Sequence, residues 1–228
     1  MSTLYLVPTP VGNLGDITIR AIEILKEASF ILAEDTRVTG KLLKHYEIET
    51  SMRSYHDHNK ENVTAGHITT LKSGKSLALV TDAGTPGIAD PAFFIVREAL
   101  KENITVVPLP GATAFVPAII ASGLPSDRFI FENFLAPKAS KRKRFFEESR
   151  NEKRTIIFYE SPHRILKVLK EFHEILPTVE LVLAREISKL FEEFLRGTAS
   201  EILEHYKERK PKGEMVVLFN ALVTRDEE

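Results

Sequence analysis

The sequence predicts an α/β protein of two domains, the first built on a mostly parallel sheet and the second on a mixed one. Three observations support this. Short apolar runs alternate with amphipathic stretches through the first half, which is the pattern of strand–helix–strand crossovers. Several of those runs end abruptly in glycine, proline or acidic residues. After Pro108-Leu109-Pro110-Gly111 the pattern changes, and two strands near Ala184 and Glu192 follow one another with only a short link. A domain boundary is therefore expected at residue 111, giving domains 1–111 and 112–228.

In chain order, Leu4–Val7 reads as a buried strand running into the loop Pro8 to Gly15. Asp16 is expected to cap a helix whose apolar positions Ile17, Ala21, Ile24, Leu25 and Ala28 follow the helical period. Phe30–Ala33 is the next strand, ending in Glu34-Asp35-Thr36-Arg37. A short helix over Val38–His45, a strand around Met52–Tyr55 and a polar helix from Asn59 to Lys72 follow. Leu77–Thr81 is a strand that enters the loop Asp82–Pro91. This loop is longer than the about two to six residues usual for such connections. Asp90 as N-cap and Pro91 at the first turn open a helix over Ala92–Lys101. Ile104–Val107 is a strand, and a helix is expected from Ala112 to Ala121. The second domain reads as strands at Phe129–Phe134, Thr155–Tyr159, Glu180–Ala184, Glu192–Arg196 and Met215–Phe219. Its helices are read at Phe145–Arg150, His163–Leu176 and Ser200–Lys207, with fraying from Thr224 onward.

Composition narrows the function. The 228 residues are 43% hydrophobic, and 31 Lys plus Arg against 32 Asp plus Glu leave a net charge of -1. A nucleic-acid contact must therefore be local. Absence of cysteine excludes disulfides, thiolate nucleophiles and cysteine-held metals. No run reaches the roughly 18 apolar residues of a membrane span, and no charged leader precedes the first strand. A soluble cytoplasmic protein is expected.

The glycine- and acid-rich ends at Pro8, Glu34 and Asp82 belong to parallel strands, so they gather on one edge of the sheet, where open α/β sheets bind ligands. Phosphate-loop, dinucleotide and serine-elbow patterns are all missing. His56-Asp57-His58 lacks further ligands nearby, so no metal is expected and polar, substrate-facing roles are preferred. Pro137-Lys138-Ala139-Ser140-Lys141-Arg142-Lys143-Arg144 sets cations against the positive end of a helix dipole, an arrangement that suits phosphate binding. A solvated helix start is the competing reading. Tyr159-Glu160-Ser161 and Arg185-Glu186 again end apolar strands in charge.

Taken together and in order, Pro8-Thr9-Pro10-Val11-Gly12-Asn13-Leu14, Ala33-Glu34-Asp35-Thr36-Arg37, His56-Asp57-His58-Asn59 and Asp82-Ala83-Gly84-Thr85-Pro86 form a recognisable set. Pro108-Leu109-Pro110-Gly111, Leu124-Pro125-Ser126-Asp127-Arg128-Phe129, Phe158-Tyr159-Glu160-Ser161, His163-Arg164, Ala184-Arg185-Glu186 and Lys212-Gly213-Glu214 complete it. The chain from Leu4 to Phe219 closely resembles the ribosomal RNA small subunit methyltransferase I family, a branch of the tetrapyrrole methylase superfamily. The resemblance implies a homodimeric class III methyltransferase holding S-adenosylmethionine in a cleft between two α/β domains. It implies 2′-O-methylation of a decoding-region cytidine of 16S ribosomal RNA. Rival classes are a superfamily enzyme acting on a corrinoid or a protein, and a non-catalytic binding protein.

Carried onto this chain, the resemblance places the cofactor near Pro10, at Asp82, Ala83, Gly84 and Thr85, and along Gly111, Ala112, Thr113 and Ala114. Tyr159 and Gly213-Glu214-Met215 complete that set. Glu34, Asp35 and Glu186 are candidates for orienting or deprotonating the ribose hydroxyl. Asn13, Arg37, His56, His58, Arg164 and the run Lys138, Lys141, Arg142, Lys143 and Arg144 are candidates for contact with the small-subunit RNA. Asn133 departs from the pattern, which calls for glycine there.

Overall fold

Residues 2–223 are described by a computed structural model, and the chain divides into two compact units, Met1–Thr113 and Ala114–Glu228. The first carries strands β1 (Thr3–Leu6), β2 (Phe30–Ala33), β3 (Met52–Ser54), β4 (Leu77–Val80) and β5 (Thr105–Pro108), in the order β3-β2-β4-β1-β5. All their pairings are parallel. Buried on both faces, β2 and β4 are continuous apolar runs rather than alternating ones.

Helices α1 (Ile19–Glu27) and α2 (Thr36–His45) cover one face, packing Ala21, Leu25 and Leu43 on Ile31, Ala33, Ala78 and Val80. Helices α3 (Lys60–Lys72) and α4 (Ala92–Lys101) cover the other, packing Ile68, Leu71, Ile95 and Ala99 on Leu4, Leu32, Leu77 and Leu79. Even-numbered and odd-numbered residues of one strand thus serve opposite cores, as the two-residue period of a strand requires.

The second unit has helix α5 (Phe115–Ile120), strands β6 (Phe129–Phe134), β7 (Thr155–Glu160), β8 (Glu180–Arg185), β9 (Glu193–Thr198) and β10 (Met215–Phe219), and helices α6 (Ala139–Glu148), α7 (Ile165–Ile175) and α8 (Ala199–His205). The sheet order is β6-β7-β10-β8-β9; β6 and β7 are parallel and the other pairs antiparallel. On α7, Ile165, Val168, Leu169, Phe172 and Ile175 form one buried stripe at helical spacing. Each such side chain contributes about 1.5–3 kcal/mol by leaving water. They join Phe146, Phe158, Val217 and Phe219 in one core, while α5 packs Ala118 and Ile119 on Ile157, Val182 and Val216 across the sheet. No helix of the described residues is long and apolar enough to cross a membrane.

Several expected boundaries move, each for a local reason. Asp16 does not cap α1; it closes a short 3-10 turn over Leu14–Asp16, and Thr18 caps the helix by accepting from Ala21 N. Helix α4 begins at Ala92 with Pro91, not Asp90, at the N-cap position; Asp90 stands one residue earlier and accepts from Gly87 N at 2.7 Å and Ala92 N at 2.8 Å. Helix α5 begins at Phe115 rather than Ala112. Helix α6 begins at Ala139, so most of the basic run lies inside it rather than before it. The residues from Thr224 on lie outside the described range.

A strand edge lined by carboxylates as the candidate active site

The order of the first sheet creates a natural opening. The connections from β1 and β2 run through α1 and α2 on one face, and those from β3 and β4 through α3 and α4 on the other. Neighbours β1 and β4 therefore send their following segments to opposite faces, and the crevice at their carboxyl ends is where such sheets bind ligands.

The loops at this point are tied together by backbone. Pro8 and Pro10 have no N–H, so Thr9 alone can donate there. It does so to Gly84 O at 2.9 Å, and Gly84 N returns a bond to Thr9 O at 2.9 Å. The Thr9 hydroxyl donates to Thr81 O. Thr85 Oγ1 donates to Ala112 O at 2.8 Å and lies 2.6 Å from the Thr113 hydroxyl. Gly84 has φ 88°, a left-handed value that side chains disfavour. A Cβ on Gly111 would stand 2.5 Å from the Pro8 ring, so only glycine lets these two segments meet. Pro10, Asp82 to Thr85 and Gly111 to Thr113 thus share one edge of the first unit, whereas Ala114 belongs to the second.

Three carboxylates stand on the same edge. Glu34 Oε2 accepts from Thr81 Oγ1 at 2.6 Å and from Asp82 N at 3.3 Å. Asp82 Oδ1 accepts from Asp35 N at 2.9 Å. Partial burial, followed by the negative charges of Glu34 and Asp35, raises the Asp82 carboxyl above its ordinary value, against the Asp35 N–H that lowers it. Asp35 is different: it caps α2 through Arg37 N and grips the Arg37 guanidinium at 2.6 Å. The side-chain bond from Arg37 leads in holding its carboxyl at about 2.

The remaining first-unit candidates scatter. Asn13 Oδ1 accepts from Gly15 N in its own turn. Arg37 is spent on Asp35, although its side chain is 87% exposed. His56 is half-buried with Nδ1 unpartnered, His58 is exposed, and their rings lie 5.9 Å apart.

In the second unit, register places Glu160, Met215, Arg185 and Glu193 in one row across β7, β10, β8 and β9. Tyr159 lies beside that row; burial pushes its phenol up to about 12, against a backbone hydrogen bond with Phe115. Glu186 sits at φ 51°. Its Oε1 accepts from Glu214 N at 2.9 Å and from Lys189 Nζ at 2.9 Å. Burial works against its charge, and these bonds outweigh burial and lower its carboxyl. A Cβ on Gly213 would overlap the Glu186 side chain, which explains that glycine. Glu186 therefore fastens the turn into β10.

The basic run needs correction. Arg142 is 2% exposed and forked onto Glu171 at 2.7 Å from both Nε and Nη2, with Nη1 on the carbonyls of Ala136 and Pro137. It is a buried clamp and not an RNA contact. Arg164 Nη2 donates to Leu135 O and lies 3.1 Å from Glu160 Oε2, so it too is largely structural. Lys143 pairs with Glu174 and Arg144 with Glu148. Lys138 and Lys141 stay exposed and in no ion pair among the described residues. Thr9, Thr81 and Lys189 had no place among the candidates. The two prolines around Thr9 were a readable signal for it; the partners of Thr81 and Lys189 depend on folding.

Residues 3–203 match the model of the tetrapyrrole (corrin/porphyrin) methylases. A Synechocystis protein is 46% identical over 227 residues, 99% of this chain and 81% of that protein, and a Halalkalibacterium halodurans protein is 49% identical over 216 residues, 95% and 75%. A Bacillus subtilis protein is 48% identical over 220 residues, 96% of this chain and 75% of that protein; each of the three is named a ribosomal RNA small subunit methyltransferase I. This chain belongs to the ribosomal RNA small subunit methyltransferase I family. At the level of fold it is similar to the methyltransferase CobJ, with TM-score 0.72, 18% identity and coverage of 99% and 96% of the two chains. The uroporphyrin-III-C-methyltransferase of Thermus thermophilus gives TM-score 0.67 at 17% identity, over 97% and 95%.

Membership of the ribosomal RNA small subunit methyltransferase I family also gives Asn133 a context. Its φ is 56°, at the irregularity between Phe131 and Phe134 where β6 shifts against β7. Glycine is the usual occupant of that conformation and asparagine its commonest substitute, so the departure keeps the backbone and adds a polar side chain.

Proposed function

We propose that this chain moves the methyl group of S-adenosylmethionine to the ribose 2′-hydroxyl of a decoding-region cytidine in 16S ribosomal RNA, in the cytoplasm and as a homodimer. Identity of 46–49% over 95–99% of this chain to relatives named ribosomal RNA small subunit methyltransferase I carries this reading. The first-unit edge fits such a donor: glycine-bearing loops offer backbone groups, and Asp82 and Glu34 offer negative charge to a sulfonium. When bound, the donor supplies an electrophilic methyl for in-line displacement, a step that needs no metal.

The chain's own contribution is positioning, which supplies on the order of 7–11 kcal/mol in well-oriented systems. Pro10, Asp82 to Thr85 and Gly111 to Thr113, which share one edge of the first unit, bind and orient the donor. Of the candidate carboxylates Glu34, Asp35 and Glu186, Glu34 is best suited to take the hydroxyl proton. Thr81 and Asp82 N–H fix one of its oxygens, leaving Oε1 available. Asp35 is bound to Arg37, and Glu186 to Lys189 and Glu214 N. Lys138 and Lys141, with His58, remain for RNA contact.

Mapping ribose methylation in ribosomal RNA from cells with and without the gene tests the reading, paired with methyl transfer to purified small subunits. One 2′-O-methyl cytidine should vanish and reappear. An unchanged map, with methyl transfer instead to a corrinoid or a protein, assigns the alternative substrate class.

A further inference from the structure

A basic pocket of about 370 Å³ in the second unit has no part in the donor site proposed above. Arg185 ends β8 and Glu193 begins β9; His205 and Tyr206 come from the end of α8; Arg209, Lys210 and Lys212 come from the segment leading into β10. Helix α8 has already ended at His205, and Gly213 at φ 84° turns the segment into the strand. Four fixed cations therefore face one carboxylate.

That carboxylate is already occupied. Glu193 Oε2 accepts from Arg185 Nε at 3.0 Å, and His205 Nε2 stands 3.7 Å from Oε1. Arg209, Lys210 and Lys212 form no ion pair among the described residues. Gathering like charges in a concavity is unfavourable unless an anion completes it. A second observation points the same way. Tyr206 is 7% exposed, and its hydroxyl has no hydrogen-bond partner among the described residues. Buried polar groups are nearly always satisfied, and Tyr206 is among the residues lining the pocket, so its unpaired hydroxyl needs a partner there. The volume lies at the small end of the roughly 300–1,000 Å³ of ligand pockets, enough for one nucleotide unit.

We infer that this pocket binds a backbone phosphate of the RNA strand, with Arg209, Lys210 and Lys212 facing the phosphate oxygens and the Tyr206 hydroxyl completing the contact. The planar fork of Arg209 and the point charges of Lys210 and Lys212 both suit phosphate, which every nucleotide presents regardless of base. An RNA source is favoured over a free nucleotide by continuity: Arg185 pairs in register with Met215, two residues after Gly213. The inference rests on the RNA reading above and extends it to a second anchoring point.

The test compares the full chain with the double variant Arg209→Ala/Lys210→Ala and with Tyr206→Phe. Methyl transfer to purified small subunits, RNA oligonucleotide binding across a salt series, cytidine monophosphate binding and S-adenosylmethionine binding are measured for each. For the double variant, KM for the subunit should rise about tenfold with kcat little changed, and the slope of log affinity against log salt should fall by about one unit or more. S-adenosylmethionine binding should not change. Tyr206→Phe should raise KM about threefold and leave the slope alone, because it removes no charge. Unaltered KM and slope in the double variant, with an active wild type, overturn the inference. So does loss of cytidine monophosphate binding without loss of RNA binding, which makes a free nucleotide the occupant. If the wild type methylates no RNA yet the slope still falls in the variant, the pocket stands and the proposed reaction falls.

Discussion

Strands end in charge in both units, but the charges do different work. In the first, β2 ends at Glu34-Asp35 and β4 at Thr81-Asp82, and the carboxylates hold backbone N–H groups of the neighbouring loop. In the second, β7 ends at Glu160, which is 2% exposed and joined to Arg164, while Arg142 clamps Glu171 close by. Burial raises the Glu160 carboxyl, against the Ser161 N–H and the nearby arginines. The sheets account for the contrast. Parallel strands with crossovers on both faces finish together and leave an open edge. Where β10 runs antiparallel to β7 and β8, an incoming segment must be fastened at that same end, and Glu186 does so. A carboxylate at a strand end marks a site only where the topology leaves it unclaimed.

The largest effect that would break this contrast is on the buried pair. Arg142→Met should lower stability to urea by about 3–5 kcal/mol, since it strands Glu171 without a partner. The double variant Arg142→Met/Glu171→Leu should recover most of that loss; a single variant with near wild-type stability would show the clamp to be dispensable. Next is the first-unit edge. Glu34→Gln should cut single-turnover methylation by about 10²-fold at saturating donor and RNA, within the range for lost general base catalysis. Asp35→Asn should stay within about threefold because asparagine caps a helix as well as aspartate does. The reverse ranking would move the proton-accepting role to Asp35.

The smallest effect concerns His67 on α3, packed between Phe30 and Tyr55 with neither ring nitrogen partnered. Burial, then the charge of Arg53, lowers its pKa, so the folded protein keeps it neutral. The unfolded chain takes up a proton below about pH 6.5 that the folded one refuses, and stability therefore falls as pH drops through that value. Calorimetry at pH 7.5 and 5 should show a smaller loss of Tm for His67→Phe than for the wild type. Equal losses would assign the acid sensitivity elsewhere.

The buried parallel strands were readable because solid apolar runs such as Leu77–Val80 have few other uses. The three strand-end loops were readable for the same reason, since parallel strands dictate where their ends gather. Cap choice was not: Asp16 and Thr18 are both good caps, and only the 3-10 turn over Leu14–Asp16, which takes up Asp16, decides between them. Arg142 was misread as surface charge although it lies four residues before Phe146, on the same buried stripe of α6. The bond from Thr81 to Glu34 spans 47 residues of chain and depends on β2 and β4 becoming neighbours, which local pattern does not specify.

The reciprocal bonds between Thr9 and Gly84 have a consequence for how the first-unit edge moves. Both amides lie in loops, yet each is locked to the other's carbonyl, and Val7 N is held by Leu79 O just behind them. In deuterium exchange these two amides should behave as members of the sheet, slowing together and opening only with a larger cooperative unit. Neither loop can swing as an independent flap. Whatever enters this edge meets a frame already set, and motion during turnover has to come from segments outside that lock.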